Sequence, residues 1–226
     1  MIINLLNLFF PKVCYACSNY LGDNEKHICT SCRHDLPVTN FHFENDDTIK
    51  KVLYGRAKIE NATSLLMFQK RGIVQQLLHN LKYRGHETIG KVLGEWLGNE
   101  LKSISDYKSI EMVIPVPLHK RKRRKRGYNQ VAKFGIEIAN ALDVPYVDSV
   151  LLKIAATKTQ VFKKRIARWD NTDELFTAQY ISKIDGKHIL LVDDIITTGA
   201  TIEACCNVLC KAKDVKISVA TMAIAQ

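Results

Sequence analysis

The apolar residues of this chain recur at two spacings, which predict alternating helices and strands. Ile73, Leu77, Leu78 and Leu81 lie at helical spacing, so a helix is expected there. It should end within residues 82–85, because Gly85 can adopt the left-handed conformation that is common just after a helix. Further helices are predicted over residues 87–101, 131–142 and 202–211.

Short apolar runs between these helices predict strands over residues 112–116, 147–153, 188–192 and 215–224. Strands separated by helices of this length imply right-handed crossovers and a parallel sheet. The predicted fold class is therefore α/β, with helices flanking a parallel sheet.

One of these strands leads into the most informative stretch of the chain. Ile189–Val192 is apolar without alternation, which suits a strand buried on both faces, and Asp193 and Asp194 follow it directly. We expect both carboxylates at the carboxyl edge of the sheet, where open α/β sheets bind their ligands.

The turn after the two acids has the composition of a phosphate-binding loop. Small residues let the backbone approach an anion, Gly199 permits a positive φ, and threonine hydroxyls add donors. The amino end of the following helix also favours an anion. The acids would repel a phosphate, but they can accept hydrogen bonds from sugar hydroxyls or hold a hydrated Mg²⁺. A ribose phosphate site is therefore predicted, formed by Asp193, Asp194, Thr197, Thr198, Gly199, Ala200 and Thr201.

The positive charge of the chain is concentrated in one segment. The 226 residues carry a formal charge of +10, and Lys120–Arg126 is an unbroken run of seven basic residues without which the charge would be +3. A local cluster indicates one polyanionic ligand, whereas a generally basic shell would indicate nonspecific association. We expect the run to form a loop after the strand at 112–116, since Pro115 and Pro117 prevent further pairing there.

The apolar start of the chain does not resemble a membrane or export signal. No stretch reaches the roughly 18 apolar residues of a membrane span. Met1–Phe10 lacks a basic region and a cleavage site, and it is predicted to form a short amphipathic helix ended by Pro11. These features favour a cytoplasmic protein.

Four cysteines near the start have the spacing of a metal site. Cys14 and Cys17 form one CxxC pair, Cys29 and Cys32 form another, and eleven residues separate the pairs. Four thiolates give the tetrahedral geometry that structural zinc accepts. Two disulfides are the alternative, which a cytosolic compartment disfavours. His27 and His34 stand beside the ligands and could replace one of them.

The segment Ile189–Ile202 resembles the phosphoribosyl-pyrophosphate (PRPP) signature of type I phosphoribosyltransferases. Other segments, in matching order, resemble the ComF family, which is associated with natural competence. These are the four cysteines, Lys82–Gly85, Pro115–Leu118, Arg126–Gln130, and Gln160 with Arg168 and Asn171. Lys153 departs from the family, which usually has an arginine there, so a point charge replaces a planar bidentate donor.

The resemblance implies a type I phosphoribosyltransferase-like fold with structural Zn²⁺ on Cys14, Cys17, Cys29 and Cys32. Residues 1–45 would form an N-terminal helix and a zinc-ribbon-like module, and residues 46–226 the phosphoribosyltransferase-like domain. Asp193 and Asp194 would hold the ribose of PRPP, with Mg²⁺, and Thr197–Thr201 the 5′-phosphate. Further substrate-binding residues would be Tyr83, Arg84, Gly85, Pro115, Val116, Pro117, Arg126, Gln130 and Arg168.

Two functions follow as hypotheses. The first is a glycosyltransferase that moves the phosphoribosyl group of PRPP to an acceptor. The sequence does not identify a side chain that would act as the catalytic base. The second is a protein of the competence machinery that handles single-stranded DNA through Lys120–Arg126 and keeps the PRPP pocket for sensing. A basic run beside an aromatic residue such as Tyr128 is typical of single-strand binding.

Overall fold

The computed structural model describes residues 11–154 and 175–225. The strands are β1 (Ala62–Phe68), β2 (Met112–Pro115), β3 (Leu151–Lys153), β4 (Phe176–Ala178), β5 (His188–Ile196) and β6 (Lys216–Ala225). The helices are α1 (Thr30–His34), α2 (Phe41–Glu44), α3 (Thr48–Leu53), α4 (Ile73–Tyr83), α5 (Thr88–Lys102), α6 (Lys120–Arg126), α7 (Ala132–Leu142) and α8 (Ala200–Leu209).

A parallel sheet of four strands organises the fold, in the order β1-β6-β5-β2. Its central strands β5 and β6 are apolar and buried along most of their length, as expected for strands covered on both faces. The predicted α/β class with a parallel sheet is confirmed. The short strands β3 and β4 pair antiparallel as a separate two-stranded sheet.

The two faces of the sheet pack against different helices. Leu190 and Val192 of β5 belong to the core formed with α4, α5 and α7. Ile189 and Leu191 belong to the core formed with α3, α8 and the paired strands β3 and β4. This alternation follows from the period of two in a strand, and it predicts that Asp193 and Asp194, which come next, point to opposite faces.

Helices α5 and α7 approach each other closely through glycines. A Cβ at Gly94 would lie 2.5 Å from the carbonyl oxygen of Phe134, and one at Gly98 would lie 2.8 Å from the Cβ of Ala141. No side chain fits into such a contact, so glycine is required at both positions. The tight packing holds the start of α7, and with it the preceding Tyr128–Gln130 segment, against the sheet.

The basic run is a helix, and the expectation of a loop was wrong. Lysine and arginine are good helix formers, and the His119 side chain accepts from the N–H of Arg121 at the amino end. Gly127 ends the helix with a φ of 88°. The side chains of Lys120–Lys125 are exposed, so the run forms a short, solvated, positively charged helix, α6.

The four-cysteine segment shares a core with the sheet domain. Ile28 and Leu36 join the cluster that contains Leu77 and Leu97 of α4 and α5. The Asn80 Nδ2 donates to the carbonyl oxygen of Tyr15 at 2.6 Å. The segment is therefore anchored directly on α4, the helix that ends in the predicted site. Within the described residues, no helix has the length and apolar character needed to cross a bilayer.

Candidate functional site

The two acids of β5 lie inside the strand, because β5 continues beyond them to Ile196, which pairs with Ile224 of β6. Sequence reasoning ended the strand too early. Asp193 is 7% exposed and Asp194 is 5% exposed. Since they are consecutive strand residues, their carboxylates point to opposite faces of the sheet.

Asp194 lies on the α4 and α7 face and joins two other predicted segments. Its Oδ1 accepts from Lys82 Nζ at 2.9 Å, and its Oδ2 accepts from Gln130 Nε2 at 2.6 Å. Arg126 donates to Gln130 Oε1 and lies 5.5 Å from the centre of the Tyr83 ring. Residues from 82–85 and 126–130 thus meet at this carboxylate.

Asp193 lies on the α8 face and has a different environment. Its Oδ1 accepts from the backbone N–H of Asp194 at 2.8 Å, and Lys153 and Cys205 lie near it. Burial first, and the negative charge of Asp194 second, raise the pKa of Asp193 to about 8, although Lys82 and Lys153 act against the shift. The raised pKa favours the protonated form of Asp193.

The predicted phosphate turn is open to solvent. Thr197, Thr198, Ala200 and Thr201 are exposed, while Gly199 is buried with a φ of 75°. A Cβ at Gly199 would lie 2.8 Å from Cδ2 of Leu53, so the buried side of the turn packs tightly on α3. The first N–H groups of α8 follow the turn and have no partners within the helix, as at every helix start.

Arg56 supports this turn, and sequence reasoning missed it. Its Nη1 donates to the carbonyl oxygen of Thr198 at 2.6 Å, and its guanidinium pairs with the Glu203 carboxylate in the first turn of α8. The contact joins residues 142 positions apart in the chain. No local motif around Gly55–Arg56 signals such a partner.

The remaining predicted site residues surround the same edge of the sheet. Tyr83 is 71% exposed, Arg84 is exposed, and Gly85 has a φ of 75°. At the exit of β2, the Val116 N–H donates to Val192 O at 2.8 Å, and Val116 O accepts from Asn129 Nδ2 at 3.1 Å. Pro115 and Pro117 flank Val116. Arg168 lies outside the described residues, as do Met1–Phe10, Gln160 and Asn171.

The four cysteines converge, with all four Sγ atoms within 4.8 Å of one another. The Sγ atoms of Cys17 and Cys29 are 3.8 Å apart, and a tetrahedron with zinc–sulfur bonds of about 2.3 Å places its sulfurs about 3.8 Å apart. Although burial raises the pKa of Cys14, the backbone N–H groups of Cys17, Cys29 and Ala16 lower it to about 7. The cluster is compatible with structural metal binding.

Sequence comparisons find relatives associated with competence and DNA use. Residues 132–225 match the phosphoribosyl transferase domain family. Competence protein F of Haemophilus influenzae is 28% identical over 139 residues, which cover 60% of this chain and 61% of that protein. Competence protein ComFC of Bacillus subtilis is 27% identical, covering 84% and 75%. DNA utilization protein YhgH of Escherichia coli strain K12 is 24% identical, covering 84% and 80%.

Solved structures with a partly similar arrangement include two types of phosphoribosyl enzyme. Glutamine PRPP amidotransferase from B. subtilis superposes with a TM-score of 0.43 and 18% identity, over 64% of this chain and 30% of that one. Adenine phosphoribosyltransferase from Leishmania tarentolae gives 0.41 and 12%, over 73% and 92%. Both TM-scores lie below 0.5, too low to support an inference about ligands.

The chain is therefore similar to the competence proteins F and ComFC, and its residues 132–225 are similar to the phosphoribosyl transferase domain.

Proposed function

We propose that the chain binds PRPP with Mg²⁺ and transfers its phosphoribosyl group to an acceptor during DNA uptake in the cytoplasm. One observation carries the proposal: an open turn of small residues, Thr197–Thr201, follows directly after β5, the strand that contains Asp194. A candidate phosphate-binding turn and a carboxylate that can accept from a sugar diol are therefore three positions apart in the chain.

The chemistry of each side chain supports this assignment. The N–H groups at the start of α8 and the threonine hydroxyls would hold the 5′-phosphate. Asp194 would accept hydrogen bonds from the ribose hydroxyls in place of those it now accepts from Lys82 and Gln130. The released Lys82 ammonium, with Arg84 nearby in sequence, would then face the leaving pyrophosphate.

Mg²⁺ fits this donor set, since a carboxylate oxygen and phosphate oxygens are the hard ligands that it prefers. When bound, it would neutralise part of the pyrophosphate charge. The residues of this chain position the sugar, and its C1′ carbon would pass through an oxocarbenium-like transition state as in other glycosyl chemistry.

Thermal unfolding in the presence of ligand tests the proposal. PRPP with Mg²⁺ should raise the melting temperature, and chelation of Mg²⁺ should reduce the shift. Asp194→Asn should reduce the shift strongly, because asparagine offers one uncharged acceptor oxygen where the carboxylate offers two charged ones. Asp143→Asn is the matched control, because Asp143 is exposed in the left-handed conformation that asparagine tolerates. Absence of any shift in the parent protein would contradict PRPP binding.

We propose in addition that Cys14, Cys17, Cys29 and Cys32 hold one structural Zn²⁺, in a module of residues 1–45 attached to the phosphoribosyltransferase-like domain of residues 46–226. The Sγ spacing supports this metal. Protein purified without chelators should contain about one zinc per chain by elemental analysis. Cys14→Ser with Cys32→Ser should lose it, whereas Cys210→Ser should keep it. A parent protein free of zinc would contradict the assignment.

A second candidate function is the handling of single-stranded DNA through α6, with the PRPP pocket serving as a sensor. The exposed cations of Lys120–Lys125 and the relatives' names favour it. Within the described residues, α6 forms no ion pair that would neutralise it.

Titration of a fluorescent oligonucleotide tests this candidate. Binding should weaken steeply as salt rises, with a slope of about −0.7 for each single-strand phosphate contacted. Replacing all seven basic residues of α6 by glutamine keeps helix propensity and removes the charge. An affinity that survives this replacement would exclude α6 as the contact.

A further inference from the structure

Tyr15 lies inside the first CxxC pair and is held by the rest of the four-cysteine segment. The Sγ atom of its neighbour Cys14 accepts from the N–H groups of Ala16 and Cys29 at 3.4 Å and 3.3 Å. The N–H of Tyr15 donates to the carbonyl oxygen of His27 at 2.7 Å, and the two rings stack with their centroids 5.4 Å apart. The position of Tyr15 therefore depends on how the four cysteines are arranged.

The carbonyl oxygen of Tyr15 contacts the last turn of α4. It accepts from Nδ2 of Asn80 at 2.6 Å, and Asn80 is only 3% exposed. Within the described residues Asn80 Oδ1 has no hydrogen-bond partner, so the bond to Tyr15 orients the amide. The backbone carbonyl oxygen of Asn80 accepts from the N–H of Arg84 at 3.0 Å at the end of the helix. Asn80 therefore joins the cysteine segment to the residues that leave α4.

The ring of Tyr15 makes a second contact beyond the end of α4. Its centroid lies 4.4 Å from that of the His86 ring, and both residues are half-buried. His86 follows Gly85, whose φ of 75° turns the chain after the helix. Tyr15 thus contacts Asn80 before the Lys82–Gly85 segment and His86 after it.

The segment between these two contacts carries charges of the candidate site. Lys82 donates to Asp194 at 2.9 Å, and Arg84 is exposed. In the proposed complex both side chains face the pyrophosphate of PRPP. Electrostatic stabilisation depends on the placement of such charges, so a small displacement of this backbone would weaken binding of the pyrophosphate.

We propose that Tyr15 is a positioning residue that makes the placement of Lys82 and Arg84 depend on the arrangement of the four cysteines. Zinc at the cysteines and pyrophosphate at the site would then favour each other. Such coupling is reciprocal, so PRPP tightens zinc binding by the factor by which zinc tightens PRPP binding. The effect on PRPP rests on the proposed function, whereas the ordering of residues 82–87 by Tyr15 does not.

Amide hydrogen exchange measures this ordering without a ligand. The reporters are the N–H groups of Arg84 and Glu87, which donate to the carbonyl oxygens of Asn80 and Gly85. Tyr15→Ala should speed their exchange severalfold and leave β5 unchanged, because local opening does not require unfolding of the core. Removal of zinc from the parent protein should have the same effect.

Matched variants separate the role of the Tyr15 ring from a general loss of structure. Tyr15→Phe keeps the ring that contacts His86 and should retain the exchange rates of the parent. Tyr20→Ala is the control, because Tyr20 belongs to the same segment and is 76% exposed. Asn80→Ala removes the donor to Tyr15 and should reproduce the effect of Tyr15→Ala.

Calorimetry with Mg²⁺ measures the consequence for ligands. Tyr15→Ala and Asn80→Ala should each weaken PRPP binding about fivefold, at the lower end of the usual range for coupled sites. The affinity for ribose 5-phosphate should not change, because this ligand lacks the pyrophosphate that Lys82 and Arg84 face. A merely structural defect would weaken binding of both ligands.

Competition with a chromogenic chelator measures the reciprocal effect. Saturating PRPP with Mg²⁺ should raise the affinity of the parent protein for zinc about fivefold. The same addition should leave the zinc affinity of Tyr15→Ala unchanged.

The outcomes distinguish this proposal from the proposed function. Exchange rates like those of the parent in both Tyr15→Ala and Asn80→Ala would overturn the positioning role, as would equal losses of PRPP and ribose 5-phosphate affinity. Exchange at residues 82–87 that does not respond to zinc removal would also overturn it. Faster exchange in Tyr15→Ala, in a protein whose parent does not bind PRPP, would support the positioning role and contradict the proposed function.

Discussion

The two faces of strand β5 give its adjacent aspartates opposite properties. On one face, Asp194 accepts from a lysine and a glutamine that belong to other segments of the site. On the other face, Asp193 is enclosed with Cys205 near Lys153, and its raised pKa favours the protonated form. Two acids that look like a pair in the sequence therefore differ in their surroundings: Asp194 contacts other segments of the candidate site, whereas burial raises the pKa of Asp193.

The hydrogen-bond partners of Asp194 also indicate which contacts a ligand would replace. The partners of Asp194 come from the end of α4 and from the segment before α7, so the unliganded carboxylate ties these elements together. In the proposed complex, a sugar diol would take the place of both contacts. Asp193 offers no such exchange, because its described hydrogen bond is to the backbone of its own neighbour.

The largest expected effect is on sugar phosphate affinity. Asp194→Asn should weaken PRPP binding about 100-fold, because a hydrogen bond to a charged group is worth about 1.5–3 kcal/mol and two are weakened. Asp193→Asn should change it less than about fivefold, since a protonated carboxyl and an amide are similar in charge. Calorimetry with Mg²⁺ and PRPP measures the affinity of both variants. Equal losses of affinity would contradict the different roles assigned to Asp193 and Asp194.

The next effect concerns the packing behind the phosphate turn. Gly199→Ala should destabilise the protein by about 2–3 kcal/mol, because the added methyl overlaps Leu53 and the backbone has a positive φ. For a chain of this size each kcal/mol lowers the melting temperature by about 2–4 °C.

Gly186→Ala is the control for this variant. Its φ of 67° is similar, but a Cβ there meets open space. It should cost only the backbone contribution, about 1 kcal/mol. If both variants lose the same stability in urea unfolding, Leu53 does not support the turn.

A smaller effect is the pH dependence caused by Asp193. Between about pH 4 and pH 8 the folded chain retains a proton on Asp193 that the unfolded chain has released. This contribution to stability is fully present below pH 4 and is lost as pH rises through about 8, by at most about 1.4 kcal/mol per unit. Asp193→Asn should flatten the decline in unfolding free energy between pH 6 and 8. A parallel decline in both proteins would refute the buried neutral state.

The smallest effect should come from Arg56. Arg56→Met removes the contact with Thr198 O and the ion pair with Glu203, which is partly exposed and therefore weak. Ribose 5-phosphate affinity should fall about threefold, because the turn loses one fixed carbonyl. Arg71→Met, at an exposed residue remote from the turn in sequence, should leave it unchanged. A loss of equal size in both variants would assign no positioning role to Arg56.

Features that depend on the spacing of residues close together in the chain could be predicted from the sequence. Helix α4 was expected from the spacing of Ile73–Leu81, and its end near Gly85 agrees with the left-handed φ found there. The parallel sheet was expected from apolar runs separated by helices. Four cysteines in two CxxC pairs predicted a cluster, and their sulfurs do converge.

Features that depend on contacts between distant residues could not be predicted from the sequence. The end of β5 was placed before Asp193, but pairing with the long strand β6 carries it to Ile196 and turns the two acids to opposite faces. The basic run was expected as a loop because its charge dominated the pattern, although its helix propensity decided the structure. Arg56 reaches a turn 142 residues away, which no local pattern encodes.

The most direct measurement is a crystal structure of the protein soaked with PRPP and Mg²⁺. The account predicts electron density for a sugar phosphate with its 5′-phosphate in the Thr197–Thr201 turn, its hydroxyls at Asp194, and Lys82 moved away from that carboxylate. A sugar phosphate bound elsewhere, or bound while Lys82 and Gln130 still contact Asp194, would contradict it.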